Sequence, residues 1–335
     1  MIRAAIVGLG RWGRSLVGAV AGKSEDIRFV LGTTRTPAAA ADFCRDKGIT
    51  LLDSYEAILR DPEIDAVVLA TPHSLHRGQV LAAAAARKHI FVEKPITLDL
   101  ASAKQVTDAA QKSGVVLAVG FGRRFHPSIA ALRACAKEGR LGSIVAMVAQ
   151  HTTSTAQFVP LDNWRAAAEE APGGALTAVG VHALDHMIEL AGPVRDLRCI
   201  TARNYPAGRS DDTTTVMLRF EGGATGLLFC SVATATNFDF TVYGTQGLAE
   251  VSRPDLSRFR FAPAATVAPA GLIPAPPDEI VEFPGFDVLN AELTAFAHAI
   301  RDGQAYPVPI ADVLHGMAVF DAVVRSAKSG EVVTL

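Results

Sequence analysis

Ala4-Ala5-Ile6-Val7-Gly8-Leu9-Gly10-Arg11-Trp12-Gly13 runs a short apolar stretch straight into a glycine-spaced turn, and its reading decides how the chain begins to fold. Four small or branched apolar residues in a row suit a strand buried on both faces. Beyond the turn, Leu16, Val17 and Val20 fall on one face of an amphipathic helix. Each glycine has a separate reason to be there. Gly8 permits the tight turn, Gly10 lets a pyrophosphate approach the backbone, and Gly13 lets helix and strand pack closely. The phosphates then lie on the helix N-terminus. The spacing alone would also suit a surface turn. With a strand before it and a helix after it, the segment predicts a dinucleotide site in which Arg11 and Trp12 complete the turn.

Working outward, apolar runs at 28–31, 66–70, 89–92 and 115–119 alternate with amphipathic stretches, as a parallel sheet with crossover helices requires. Pro37 opens one helix and Gly48 closes it. Ser54 starts another that Asp61-Pro62 stops, and Asp99 caps a third that Gly114 ends. Residues 1–122 therefore read as a Rossmann domain, a doubly wound parallel sheet. The pattern changes in 123–335. Helices at 127–138 and 181–190 are followed by consecutive strand-like runs at 194–203, 213–220, 225–231 and 238–243. A turn such as Glu221-Gly222-Gly223 between such runs predicts an α+β domain with a large open, mainly antiparallel sheet. Residues 262–277, rich in Ala and Pro, read as a surface loop, and helices near 288–301 and 310–329 close the chain.

The bulk properties fit this division. A chain of 335 residues is too long for one ordinary core, and 49% hydrophobic residues supply two. Lys and Arg number 32 against 34 Asp and Glu, a net charge of −2, so no electrostatic footprint for nucleic acid or an anionic membrane exists and a small ligand is expected. Cys44, Cys135, Cys199 and Cys230 form no C-x-x-C pair, which points away from zinc knuckles and disulfides and toward a reducing compartment. The apolar run 81–86 is cut short by Arg87 and Lys88, too early to span a bilayer. A soluble cytoplasmic chain is expected.

The end of the second strand bears on which dinucleotide binds. Leu31-Gly32-Thr33-Thr34-Arg35 has no carboxylate for the ribose hydroxyls of NAD and instead offers Thr33, Thr34 and the Arg35 guanidinium, a set suited to a 2′-phosphate. NADP is the expected preference, with NAD the alternative if Arg35 is merely a solvated loop residue.

Further motifs follow. Ala70-Thr71-Pro72-His73-Ser74-Leu75-His76, Val92-Glu93-Lys94-Pro95 and Val119-Gly120-Phe121-Gly122-Arg123-Arg124-Phe125-His126-Pro127 stand at successive strand ends. Asn163-Trp164-Arg165, Gly173-Gly174-Ala175-Leu176, Gly180-Val181-His182-Ala183-Leu184-Asp185 and Pro307-Val308-Pro309-Ile310 come later. Together, over essentially the whole chain, they resemble the glucose-fructose oxidoreductase and inositol dehydrogenase family, Gfo/Idh/MocA. The resemblance implies a sheet with helices on one face whose free face pairs with another subunit, hence a homodimer or homotetramer. It also implies an NAD(P)-dependent dehydrogenase or reductase acting on CH–OH groups of a sugar, inositol or related polyol.

Such chemistry needs a group that takes or gives the hydroxyl proton. Lys94, placed at the carboxyl end of a buried strand, reads equally from spacing alone as a surface lysine beside Glu93, and the E-K-P resemblance implies the catalytic role. His182, by itself as easily a core or capping residue, aligns with the family's active-site histidine, and Asp185 one turn on reads chiefly as a salt-bridge partner. Thr71, Pro72, His76 and Glu93 are expected on the cofactor side with Lys94. Arg123, Arg124 and Arg165 are expected to bind substrate, with Trp164 either stacking on a sugar face or filling a core.

His182 and His186 are spaced as zinc ligands can be, but no H-E-x-x-H and no third ligand accompany them, so no metal is expected. The chain departs from the family at Ala178, where many members carry the carboxylate of D-x-x-x-H, with Thr177 a neutral substitute if its hydroxyl points the right way. Loss of that carboxylate implies a lower Lys94 pKa than in relatives that keep it. The rival function is a dinucleotide-binding regulator with the same fold, which could dispense with Lys94 and His182.

Overall fold

The computed structural model describes residues 1–205, 210–268 and 271–335. They form two compact units, Met1–Gly122 with Asp287–Leu314, and Arg123–Phe286 with His315–Leu335.

The first unit is built on strands β1 (Ile2–Val7), β2 (Ile27–Thr33), β3 (Thr50–Leu51), β4 (Ala66–Leu69), β5 (His89–Glu93) and β6 (Leu117–Gly120). Helices α1 (Arg11–Val20), α2 (Pro37–Lys47), α3 (Tyr55–Arg60), α4 (His73–Ala85) and α5 (Leu100–Ser113) connect them. All strands are parallel, in the order β3-β2-β1-β4-β5-β6, so the order reverses between β1 and β4, where ligands of such sheets bind. Local chemistry sets the ends. The Ser54 hydroxyl accepts Ala57 N–H at 3.1 Å, Asp99 accepts Ser102 N–H at 2.7 Å, and Gly48 and Gly114 end their helices with φ of 66° and 68°.

The expected single cut after residue 122 differs from the structure at residues 287–314, which belong with the first unit. The reason is helix α8 (Val288–Asp302). Asp287 caps it, accepting Asn290 N–H at 3.1 Å, and Leu293, Phe296 and Ala297 enter the core beneath β1 and β2. Phe296 meets Phe91 edge to face with centroids 5.8 Å apart, and Asn290 Nδ2 donates to the Ala19 carbonyl at 2.8 Å.

Helix α8 also buries a carboxyl. Glu292 is 1% exposed, and its Oε2 has no hydrogen-bond partner among the described residues. Burial, then the nearby charges of Glu93 and Asp287, push its pKa well above the usual carboxylate range. A raised folded pKa contributes stability that is full below the unfolded value of about 4.3 and is lost as pH rises through the folded value. Glu292→Gln, which keeps the shape of the protonated acid, is therefore expected to gain Tm over wild type progressively from pH 5 to pH 8 in thermal melts. Parallel melting curves across that range would contradict the buried neutral acid.

The second unit carries α6 (Pro127–Lys137), β7 (Ile144–Thr152), α7 (Val181–Ala191), β8 (Val194–Ala202), β9 (Thr213–Phe220), β10 (Thr225–Ser231), β11 (Asn237–Gly244), β12 (Gly247–Ser252) and β13 (Arg258–Pro263). Then come β14 (Thr266–Ala268), β15 (Gly271–Ile273) and β16 (Glu279–Glu282), and finally α9 (Ile310–Ser329), of which residues 315–329 belong to this unit, and β17 (Val333–Thr334). Nine strands form one sheet, β16-β13-β12-β11-β7-β10-β9-β8-β17, antiparallel except where β10 runs parallel to β7. Within the stretch expected as a loop, β14 and β15 pair as a separate ribbon, while residues 269–270 of that expectation lie outside the described residues.

Alternation sorts the two faces of the large sheet. Met147, Ala149, Val216, Leu218, Leu228, Phe238, Phe240, Ala249 and Val251 point inward and are buried. On the other face, Met217 lies opposite Leu227 and Leu227 opposite Val148, with Ile200 and Tyr243 nearby, and Met217, Leu227, Ile200 and Tyr243 are all exposed. Among the described residues, no helix is long and apolar enough to cross a membrane.

Candidate active site

The residues singled out by the sequence fall on both units. In the first unit, Gly8 has φ +96° and its N–H donates to the Thr33 carbonyl at 2.9 Å. A Cβ there would stand 2.6 Å from the Ala70 carbonyl oxygen, and one at Gly13 would collide with the carbonyl of Gly8. Those two glycines are demanded by the fold itself. Gly10 differs, because a Cβ on it would meet no protein atom. It is the extended N-cap of α1, no side chain caps that end, and the first turn holds no carboxylate. The first N–H groups of a ten-residue helix are thus offered outward beside a residue whose bareness has no packing cause, and a dinucleotide pyrophosphate fits this cradle. Arg11 lies exposed on that first turn and Trp12 is half-buried behind it.

The other expected cofactor residues divide. Thr33 ends β2 buried, Thr34 follows half-buried and Arg35 is exposed. Thr71 and Pro72 stand at the end of β4, and Pro72 caps α4. The Thr71 hydroxyl donates to Gln79 Oε1 at 2.6 Å. His76, expected to face the cofactor, is fully buried, with Nδ1 2.9 Å from the Pro95 carbonyl and Nε2 3.2 Å from the Thr71 carbonyl. Its ring therefore lies between the loop after β4 and the loop after β5, beside the proline that follows Lys94. Glu93 is likewise interior, its Oε1 packed against Gly120, where a Cβ would stand only 3.0 Å away. Lys94 follows directly, half-buried at the carboxyl end of β5, before a cis Lys94–Pro95 bond.

In the second unit, Arg124, expected to bind substrate, lies in the interior. It is 2% exposed and grips Asp185 with both prongs, Nε to Oδ2 at 2.6 Å and Nη2 to Oδ1 at 2.8 Å. Asp185 is therefore the partner of Arg124, and helix α7 is pinned to the segment before α6. Arg123, next in sequence, points elsewhere. Its Nη2 lies 3.1 Å from His151 Nε2 and its guanidinium sits 4.6 Å over the Phe238 ring. Since a guanidinium only donates, His151 Nε2 accepts, and His151 Nδ1 then donates to the Val179 carbonyl at 2.9 Å.

His182 is half-buried near the start of α7, its ring centroid 6.2 Å from that of His151. His186 turns inward and stacks on Phe240 at 6.0 Å, away from the His151 ring that His182 meets. Among the described residues, no three His, Cys, Asp or Glu are placed to hold a metal. The segment before α7, Leu176–Gly180, is a π turn, and it needs Gly180 because a Cβ there would stand 2.7 Å from Cys230 Sγ. Ala178 is exposed on this turn. Thr177 offers no neutral substitute, since it is fully buried and its hydroxyl accepts Gly173 N–H at 3.2 Å. Trp164 and Arg165 share a short turn, the guanidinium stacked 4.2 Å over the indole.

Two participants escaped the sequence reading. His151 lies on β7, a strand with no turn signal before it, and only the alternation of Met147, Ala149 and His151 would have marked it as inward-facing. Glu292 sits in an otherwise ordinary amphipathic helix, where a carboxylate on the apolar face is the one available signal.

The chain was then compared with known proteins. Residues 2–121 match the family model described as the oxidoreductase family, NAD-binding Rossmann fold, and residues 129–250 match the GFO/IDH/MocA C-terminal domain. The trans-1,2-dihydrobenzene-1,2-diol dehydrogenase of Oryctolagus cuniculus is 28% identical over 217 residues, 64% of this chain and 64% of that protein. The chain thus matches somewhat under two thirds of that relative's length. The 1,5-anhydro-D-fructose reductase of Ensifer adhaerens is 28% identical over 325 residues, 94% of this chain and 93% of that protein. In fold, the chain is similar to levoglucosan dehydrogenase in complex with NADH and levoglucosan, with TM-score 0.88 and 24% identity over 100% of this chain and 99% of that one. With one unit matched to each family domain and the glycine cradle intact, the chain belongs to the Gfo/Idh/MocA family of NAD-binding oxidoreductases.

Proposed function

We propose that this protein is an NAD(P)-dependent dehydrogenase or reductase that interconverts a carbinol and a carbonyl on a sugar, inositol or related polyol. The observation that carries the reading is the bare Gly10 cradle in the same parallel sheet that delivers Lys94 at the carboxyl end of β5. Bound NAD(P) supplies the hydride acceptor or donor. The chain's own residues hold the pyrophosphate at Gly8, Gly10 and Gly13, and manage the proton on the substrate oxygen through Lys94 and His182. Trp164 and Arg165 present a polarised aromatic surface suited to a hydroxylated ligand. Activity on an alcohol or ketone of this class in a panel of polyols, inositols and aldoses supports the assignment, and binding of cofactor without turnover of any of them contradicts it.

NADP is the preferred cofactor. Thr33 ends β2, Thr34 and Arg35 follow it with no carboxylate among them to repel a 2′-phosphate, and Arg35 is exposed to meet one. Arg35→Asp is expected to reverse the preference in fluorescence titrations of NADPH against NADH. Equal or tighter NADH binding by the wild type would refute this choice. The exposed row of Met217 and Leu227 supports pairing of two copies through the free face of the sheet, as a dimer or tetramer, which light scattering reads directly. Four buried free cysteines suit a reducing, cytoplasmic setting.

A further inference from the structure

We infer that the substrate carries a carboxylate, received by Arg123. This rests on the oxidoreductase reading above and narrows its substrate class to acids of the sugar and polyol series. Neighbouring cations of the second unit have their countercharges. Arg124 is spent on Asp185, and Arg133 Nη1 donates to Glu189 Oε1 at 2.8 Å. Arg123 has none. Its Nη2 donates to a histidine nitrogen, and its Nη1 is shut off from solvent with no partner among the described residues.

Neither neighbour of Arg123 supplies negative charge. Because Arg123 can only donate, His151 Nε2 faces it with a lone pair, and the Nδ1 proton turns to the Val179 carbonyl. Phe238 offers a π face, worth about 0.5–2 kcal/mol to a cation, whereas leaving a charge buried without a partner costs several kcal/mol. Burial lowers the Arg123 pKa to about 10, with no carboxylate to offset it, which still leaves the group charged at neutral pH. An anion on the ligand relieves this cost and a neutral ligand does not.

Position and charge then define the anion. The His151 ring that receives Arg123 lies 6.2 Å, centroid to centroid, from the ring of His182. An acidic group and a reacting carbinol on one small molecule therefore suit Arg123 and His182 together. Because Arg124 is already neutralised by Asp185, Arg123 is the one of the two adjacent arginines left to meet an anion, which matches the single charge of a carboxylate and falls short of a phosphate dianion. The carboxylate is a handle only: the carbinol oxygen gives its proton to the enzyme, the carbinol carbon gives its hydride to the nicotinamide, and the acid is unchanged.

The test uses the full chain with its cofactor and compares kcat/KM for D-glucuronate against D-glucose, D-gluconate against D-glucitol, and a hexose phosphate. The acids are expected to exceed their neutral counterparts by about 100-fold, the size of a buried charge-assisted hydrogen bond pair. Arg123→Met should collapse that ratio, and Arg123→Lys should restore part of it, while cofactor fluorescence verifies that both variants are folded. Neutral substrates turned over as well as acids, or the phosphate preferred to both, would overturn the carboxylate assignment while leaving the oxidoreductase reading intact. Should no compound turn over, that reading fails instead, and calorimetric titration with D-glucuronate decides the inference alone. Binding that is lost in Arg123→Met supports it, and no binding to wild type overturns it.

Discussion

A Lys94→Ala protein is expected to bind its dinucleotide almost as tightly as wild type and to show no measurable turnover. The two properties separate because they belong to different parts of the sheet. The proposed pyrophosphate site is the glycine turn after β1, whereas Lys94 stands at the end of β5 beside Pro95, whose carbonyl lies 2.9 Å from the buried His76 ring. Removing an amine there leaves the cradle untouched and takes away the group proposed to exchange the proton. His182→Ala should lower turnover by about 10²-fold or more, the loss typical of a missing general acid or base. Initial rates alongside cofactor titrations check both variants, and undiminished turnover in either removes that residue from the mechanism.

Arg124→Met is expected to destabilise the protein by about 3–5 kcal/mol, because it leaves the Asp185 carboxylate buried without its partner. The guanidinium is 1% and the carboxylate 5% exposed, so solvent cannot take over the lost charge. The pair tells its own story in the double variant Arg124→Met/Asp185→Leu, which removes both charges and should recover most of the loss. Denaturant unfolding measures all three proteins. A loss below about 1 kcal/mol for Arg124→Met would place the pair among ordinary surface bridges.

Much of this was legible in the sequence where local rules dominate. The glycine spacing, the Ser54 and Asp99 caps and the glycine stops at Gly48 and Gly114 each act over a few residues, and the structure places them where those rules say. What escaped depends on distance. Nothing near Leu293 or Phe296 announces that their helix returns to a core begun some 280 residues earlier at β1, since an amphipathic face looks the same whichever core it joins. Adjacent arginines were equally opaque. Arg123 and Arg124 differ by one position, yet one is locked to Asp185 and the other stands over Phe238, because only the fold decides which of them meets the carboxylate of α7. The same holds for His76, whose motif position suggested a ligand contact that its full burial between two backbone carbonyls replaces with a structural one.

Ala178 concentrates the remaining question of mechanism. It is exposed on its π turn, the Thr177 hydroxyl beside it is turned inward, and the proton chemistry proposed here rests on Lys94 and His182. A regulator that only senses dinucleotide would share every feature of the cradle, so binding does not discriminate, and transfer of the hydride itself does. The decisive measurement follows deuterium from C4-deuterated NADPH into a panel of keto sugars, inosose and keto acids, read by mass spectrometry and NMR. Label is expected on the new carbinol carbon with wild type and none with Lys94→Ala. Tight NADPH binding with no label on any compound would contradict it.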